Sequence, residues 1–216
     1  MNAAGLVKAM VGAFVVGVVF GGATAGANAL SHRFADLESA SYTVGGWSYA
    51  EVLAVVMDSG WAWAGLAVAA GWLVTRAENG APGMLVRGAA AGALSLLVAV
   101  AAYAFGETID SGGALSSFVG NEQFVWWVAG LLFGAPLGAV GACAHRAGVV
   151  GLLARLTVPV GAAVQMVLIP PGRNEVITAI GQGVVGVAAA VSIVFVVIRF
   201  LRSPRRSSEA AGAPAS

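Results

Sequence analysis

Apolar residues fall into six long stretches along the chain, separated by shorter segments that carry most of the charged side chains. Each stretch is close to the roughly 20 residues that an α-helix needs to cross about 30 Å of hydrocarbon. The pattern therefore predicts an all-α, polytopic membrane helical bundle with six transmembrane helices. The predicted spans are 6–30, 50–75, 87–105, 124–144, 149–169 and 176–199.

The composition supports the same class of protein. Hydrophobic residues make up 59% of the 216 residues and charged residues only 10%, whereas an ordinary soluble domain has about 25% charged residues. Eleven bases and ten acids are too few to cover a soluble surface of this size, but lipid requires no such cover. The lipid bilayer is therefore the first partner that we expect.

The basic residues predict how the helices are oriented. One side of the proposed arrangement carries nine Lys and Arg residues and the other carries two. Such a bias marks the cytoplasmic side of membrane proteins, so both termini are expected in the cytoplasm. The nine are Lys8, Arg76, Arg87, Arg146, Arg155, Arg199, Arg202, Arg205 and Arg206, and the two are Arg33 and Arg173.

The two ends of the chain need separate interpretations. Lys8 and the small residues at 23–29 also fit a secretory signal peptide. We favour a retained helix, because its removal would leave an odd number of spans and disturb the charge pattern. Residues 1–202 are then a single transmembrane domain, and the small, polar, proline-bearing residues 203–216 form a disordered cytoplasmic tail.

Glycines spaced four residues apart predict close contacts between helices. Small residues at this spacing let two helix backbones approach each other within a membrane. We expect packing within the chain, with contacts to other membrane subunits as the alternative. The rows are Gly17 with Gly21, Gly22 with Gly26, and Gly130 with Gly134 and Gly138.

Polar and aromatic side chains converge on the outer halves of several spans. Polar groups inside lipid are costly, so they are candidates for function, with structural hydrogen bonding as the competing explanation. An aromatic belt at the membrane interface explains the tryptophans without any site. The ligand-pocket candidates are Asp58, Glu51, Trp61, Trp63, Tyr103, Glu107, Trp126 and Gln165, with Asn28 and Gln182 at the same depth.

Asp58 is the most informative of these residues. It interrupts an apolar stretch in the sequence Met57-Asp58-Ser59-Gly60-Trp61, where the helix is expected to break at Ser59-Gly60. Either Asp58 or Ser59 then caps the helix that restarts at Trp61, or Asp58 serves a ligand or a proton. Glu51 precedes Asp58 by seven residues, which on a continuous helix would let both carboxylates line one cavity.

Several kinds of chemistry have no motif in this sequence. The single cysteine, Cys143, excludes an internal disulfide and a thiol-based metal cage. His32 and His145 fall on opposite sides of the membrane, and there is no Walker loop, Gly-x-Ser-x-Gly elbow or paired Asp-rich motif. We therefore expect no metal, no cofactor, no nucleic-acid partner and no ATP hydrolysis by this chain.

Some short motifs resemble those of a family of small six-span bacterial integral membrane proteins classed as a domain of unknown function. They are Asp58-Ser59-Gly60-Trp61-Ala62-Trp63, Gly71, the Ala-rich third span that ends at Tyr103, and Gly134-Ala135-Pro136-Leu137-Gly138. The resemblance covers roughly residues 10–170. It implies a six-span fold in the bacterial cytoplasmic membrane, but no activity. This sequence departs from the family at Asp58, where Asn is expected, and near Gln165, where an acid is expected.

Three functions are compatible with these features. We favour a small-molecule binding or transport module with an outward-facing pocket. The alternatives are a structural or accessory membrane subunit, and a membrane-embedded cyclase in which Asp58 or Glu51 protonates an isoprenoid. An enzyme is the less favoured interpretation.

Overall fold

A computed structural model describes residues 3–36, 48–77, 83–113, 121–170 and 175–202, with side chains from residue 5 to 32 in the first range and from 123 in the fourth. Over these ranges the chain forms helices and no strand. The predicted tail at 203–216 lies outside the described residues. The helices are α1 Ala3–Asp36, α2 Tyr49–Met57, α3 Gly60–Thr75, α4 Met84–Asp110, α5 Asn121–Cys143, α6 Gly148–Leu168 and α7 Glu175–Arg202.

The helices confirm an all-helical protein with five or six segments able to cross a membrane. Helices α1, α4, α5, α6 and α7 are each long and apolar enough to do so. The second predicted span is not one helix, because α2 and α3 pass the same test only together and are bent by 56° where they meet. The predicted break at Ser59-Gly60 is thus confirmed, since α2 ends at Met57 and α3 begins at Gly60.

Charge is separated between the two ends of the bundle. We call the end where α1 and α4 begin the basic end, and the end where they finish the acidic end. The described basic side chains at the basic end are Lys8, Arg76, Arg87, Arg146, Arg155, Arg199 and Arg202, and the described acids at the acidic end are Glu51, Asp58, Glu107, Asp110 and Glu175. Which end faces the cytoplasm stays a prediction.

Glycines bring α3, α4 and α5 into backbone contact at the centre of the bundle. A Cβ atom on Gly138 of α5 would lie 2.8 Å from the Cα of Gly92 in α4, and one on Gly71 of α3 would lie 2.8 Å from the Cα of Gly138. Gly134 and Gly130 lie against Ala93 and Leu96 of α4 in the same row. The three backbones approach this closely only because these positions have no side chain.

The two glycine rows of α1 behave differently. Gly17 and Gly21 lie directly against the backbone of α4, at Ser95 and Ala99. Gly22 and Gly26 have no atom within 4 Å of the place where a Cβ would stand. The second predicted row therefore does not pack against any described part of the chain.

Helices α6 and α7 form a hairpin beside this core. They pack on each other through Ala162, Met166 and Val185, and they reach the rest of the bundle through α2, α3 and α5. Large apolar side chains cover the outer faces of the bundle, including Val19, Leu132 and Val187, each more than 60% exposed. Exposed apolar area on this scale fits contact with lipid and not with water.

Candidate functional site

The break between α2 and α3 is held by local hydrogen bonds and by α6. The backbone N–H of Asp58 donates to the Ala54 carbonyl (2.8 Å), which ends α2. The Ser59 hydroxyl turns back to donate to the Val55 carbonyl (2.5 Å). At the start of α3, the N–H of Trp61 donates to the side-chain oxygen of Gln165 in α6 (2.8 Å).

Of the alternatives left open for this segment, a cap of α3 by the side chain of Asp58 or Ser59 is therefore wrong. Ser59 stands at the cap position of α3, but its side chain makes no capping bond. Gln165 supplies that acceptor from 104 residues away, and Gly60 leaves room for it, because a Cβ there would lie 3.3 Å from the Gln165 oxygen. Helix-capping rules consider only residues next to the start of a helix. Here the acceptor for the free N–H group comes from α6, which packs on α3.

Two substitutions of Gln165 distinguish the contribution of its hydrogen bond to stability from the contribution of its size. Gln165→Leu leaves the Trp61 N–H without its acceptor and should lower the free energy of unfolding by about 1–2 kcal/mol. Gln165→Glu keeps an oxygen at the N-terminus of α3, where negative charge is favoured, and should unfold close to the wild type. Thermal unfolding of the three purified proteins in one detergent measures this. A Gln165→Leu protein as stable as the wild type would contradict the cap.

Glu51 has a structural partner that accounts for its position. Its carboxylate accepts hydrogen bonds from the Ser48 N–H and hydroxyl (both 3.1 Å), and the Ser48 hydroxyl accepts from the Glu51 N–H (3.2 Å). This is a capping box at the start of α2. The sequence carries its signal, Ser48-x-x-Glu51, which our sequence interpretation missed. Because α2 and α3 are separate helices, the premise that Glu51 and Asp58 share one face of a continuous helix is wrong.

Four polar residues from three elements come together near the acidic end. Asn28 of α1 donates its amide N–H to the Tyr103 hydroxyl of α4 (3.0 Å). The Tyr103 hydroxyl is also hydrogen-bonded to the Glu107 carboxylate, and the carboxylate of Asp58, at the α2–α3 break, acts on it through space. We call Asn28, Asp58, Tyr103 and Glu107 the acidic-end cluster.

One acceptor in this cluster is buried without a partner. Asn28 is only 3% exposed, and its side-chain oxygen has no hydrogen-bond donor among the described residues. Because Tyr103 donates to Glu107, its oxygen accepts from the Asn28 amide nitrogen, which leaves the Asn28 oxygen free. A buried acceptor without a donor is unfavourable by about 1–3 kcal/mol, so its presence calls for an explanation.

Aromatic rings pack against Tyr103 of the cluster. Trp63 of α3 packs edge to face against Tyr103, with ring centroids 6.0 Å apart, and against Phe20 of α1 at 5.4 Å. Trp63 in turn rests on the buried side chains of Leu66 and Leu96. The cluster is therefore adjacent to a layer of packed aromatic rings that joins α1, α3 and α4.

The remaining candidates lie elsewhere. Trp126 is 57% exposed on α5, which fits an aromatic belt. Trp61 is half-buried against Met166 and Val185, and its indole N–H has no acceptor among the described residues. Gln182 donates to the Met166 carbonyl (2.7 Å) and ties α7 to α6.

Two clefts line the opposite side of α3, where it faces α6. One measures about 400 Å³ and lies toward the basic end, with Trp72, Ala144 and Arg155 in its wall. The other measures about 210 Å³ and lies toward the acidic end, with Trp61, Gly161 and Gln165 in its wall. Neither contains a residue of the acidic-end cluster. The clefts and the cluster are thus separate features.

The described side chains include no group of three or more His, Cys, Asp or Glu residues placed to hold a metal ion. Comparison of the chain with protein-family models, with curated proteins and with solved structures finds no match.

Proposed function

We propose that this chain is a multi-pass membrane protein that binds, or carries, a small organic cation at its acidic end. The observation that supports it is the acidic-end cluster, in which the Glu107 carboxylate is hydrogen-bonded to the Tyr103 hydroxyl, the Asp58 carboxylate acts on that hydroxyl through space, and a buried carbonyl oxygen of Asn28 has no described partner. On the orientation predicted from the basic residues, this end faces the outside of a bacterial cytoplasmic membrane.

The charge of the cluster favours a cation. Asp58 and Glu107 both act on the Tyr103 hydroxyl, and the described lysine and arginine side chains all lie toward the other end of the bundle. Two carboxylates with no described lysine or arginine at their end of the bundle attract positive charge, most strongly where the surroundings are poor in water. Asp58 is exposed, so a solute can reach it. That exposure supports binding in preference to acid catalysis, which needs a carboxylic acid enclosed in an apolar cavity.

The neighbouring groups favour an organic ammonium ion. An ammonium group donates several hydrogen bonds, and the carboxylates and the Asn28 oxygen are acceptors. The aromatic layer of Trp63 and Phe20 offers apolar contact to the carbon skeleton of such an ion. A ligand of this class would also give the buried Asn28 oxygen its missing donor.

A binding experiment with matched probes tests this proposal. The probes are benzylammonium, neutral benzyl alcohol and anionic benzoate, titrated into the purified full chain in detergent and followed by isothermal calorimetry. We expect saturable binding of benzylammonium only. Asp58→Asn and Glu107→Gln should each weaken it about tenfold, because each removes a charge-assisted contact.

The control for these variants is Asp110→Asn, which removes the same charge from the end of the same helix as Glu107 and should leave affinity unchanged. Thermal unfolding of each variant shows whether it is folded. Equal binding of the alcohol and the ammonium ion would overturn the proposal, as would wild-type affinity in both cluster variants.

A further inference from the structure

The two clefts between α3 and α6 form a groove that is separate from the acidic-end cluster. Its two clefts share Val158 in their walls, so they follow one another along the same pair of helices. From Ala154 to Gln165 the groove covers twelve residues of α6, a rise of about 16 Å at 1.5 Å per residue.

The wall of the groove is apolar along most of this length. Small and branched side chains line it, among them Gly65, Val68, Ala64 and Val158. The hydroxyl of Thr157, which also faces the groove, is hydrogen-bonded to the Leu153 carbonyl of its own helix (3.0 Å). The surface is suited to a hydrocarbon chain, which needs no hydrogen-bonding partner.

The basic end of the groove carries a fixed cation. Arg155 lies in the second turn of α6, and its Nε donates to the Ala144 carbonyl just beyond the end of α5 (2.8 Å). This bond directs the guanidinium toward the basic end, as expected for an arginine that snorkels to the membrane surface. The two terminal nitrogens form the side of an arginine fork that binds phosphate in a bidentate manner.

Further groups at this end favour the binding of an anion over that of a cation. Arg146 lies in the connection between α5 and α6, and Arg76 directly follows α3. His145 stacks on Trp72 of the groove wall, with ring centroids 5.5 Å apart. The described acidic side chains lie at the other end of the bundle. No described carboxylate therefore competes for Arg155.

From this geometry we infer that the α3–α6 groove is a binding site for one anionic phospholipid. Arg155 holds the lipid phosphate at the basic end, and one acyl chain lies in the groove toward Gln165. The positive charge of the basic end selects an anionic headgroup. This lipid would also fill the space where the α6–α7 hairpin meets the rest of the bundle.

Native mass spectrometry of the full chain, released from detergent, tests this inference. The probes are phosphatidylglycerol and phosphatidylcholine with the same acyl chains. We expect the first phosphatidylglycerol molecule to bind about tenfold more tightly than phosphatidylcholine, and Arg155→Gln to abolish this preference. Arg202→Gln, which removes a charge at the same end but on α7, should keep it.

A second variant tests the position of the acyl chain. Gly161 lines the groove and has open space where a Cβ would stand, so Gly161→Leu fills the groove without a clash. It should weaken both lipids to a similar extent. Equal affinity of the wild-type protein for the two lipids would overturn the inference without any variant. Wild-type lipid preference in a folded Arg155→Gln protein would overturn it as well.

Discussion

A Gly138→Val variant is expected to be the least stable single substitution in the core of this protein. Its side chain would have to occupy space held by backbone atoms of two helices, since a Cβ at this position lies 2.8 Å from the Cα of Gly92 and Gly71 approaches Gly138 from α3. Backbone cannot move aside as the tip of a side chain can. Overpacking usually lowers the free energy of unfolding by about 1–3 kcal/mol, and we expect the upper end of this range or more.

Thermal unfolding in detergent, followed by tryptophan fluorescence, measures this effect. The matched control is Gly22→Val in α1, where no atom lies within 4 Å of the new Cβ. It should change stability only by the small difference in helix propensity between glycine and valine, which is a few tenths of a kcal/mol. Equal stability of the two variants would mean that α3, α4 and α5 are not packed backbone to backbone.

The second large effect is expected at the hydrogen bond between Asn28 and Tyr103. Asn28→Leu removes the donor that Tyr103 accepts from, and Tyr103→Phe leaves a second polar atom of buried Asn28 without a partner. Each single substitution should lower the free energy of unfolding, with Tyr103→Phe the worse at about 2–3 kcal/mol, because an unpaired buried group costs more than a removed pair.

A double-mutant cycle isolates this hydrogen bond. The double variant replaces both partners with apolar groups of similar shape, so it should be more stable than the sum of the single effects by about 1 kcal/mol. Additive effects would show that the two side chains are not coupled. The same four proteins also show whether the cluster contributes to benzylammonium binding, because Asn28→Leu removes the buried acceptor that the proposal assigns to the ligand.

The five long helices and their approximate limits followed from the sequence, whereas the second predicted span is two helices. Each apolar stretch is long, and the physical requirement that a segment in lipid satisfies its own backbone hydrogen bonds leaves little choice but a helix. The break near Asp58 was also predictable, because Asp, Ser and Gly in succession disfavour a continuous helix. The capping box at Ser48 and Glu51 was also recognisable from the sequence pattern, since it depends only on two residues three positions apart.

The sequence did not reveal the partners across helices. Nothing local indicates that Gln165 caps α3, or that Asn28 reaches Tyr103 over 75 residues. The same limit applies to the glycines of α1. Gly21 and Gly22 are adjacent and chemically identical, yet one faces the backbone of α4 and the other faces open space.

Hydropathy and charge are properties of each segment by itself, so the sequence alone determined the membrane class, the helical content and the separation of acidic from basic residues. The tertiary structure decided which faces meet. It brought Asn28, Asp58, Tyr103 and Glu107 together and left a groove with Arg155 at one end. The physical reason is that hydrophobicity gives lipid no preference for one apolar helix face over another. Close packing and a few long-range hydrogen bonds choose the arrangement, and both depend on the whole fold.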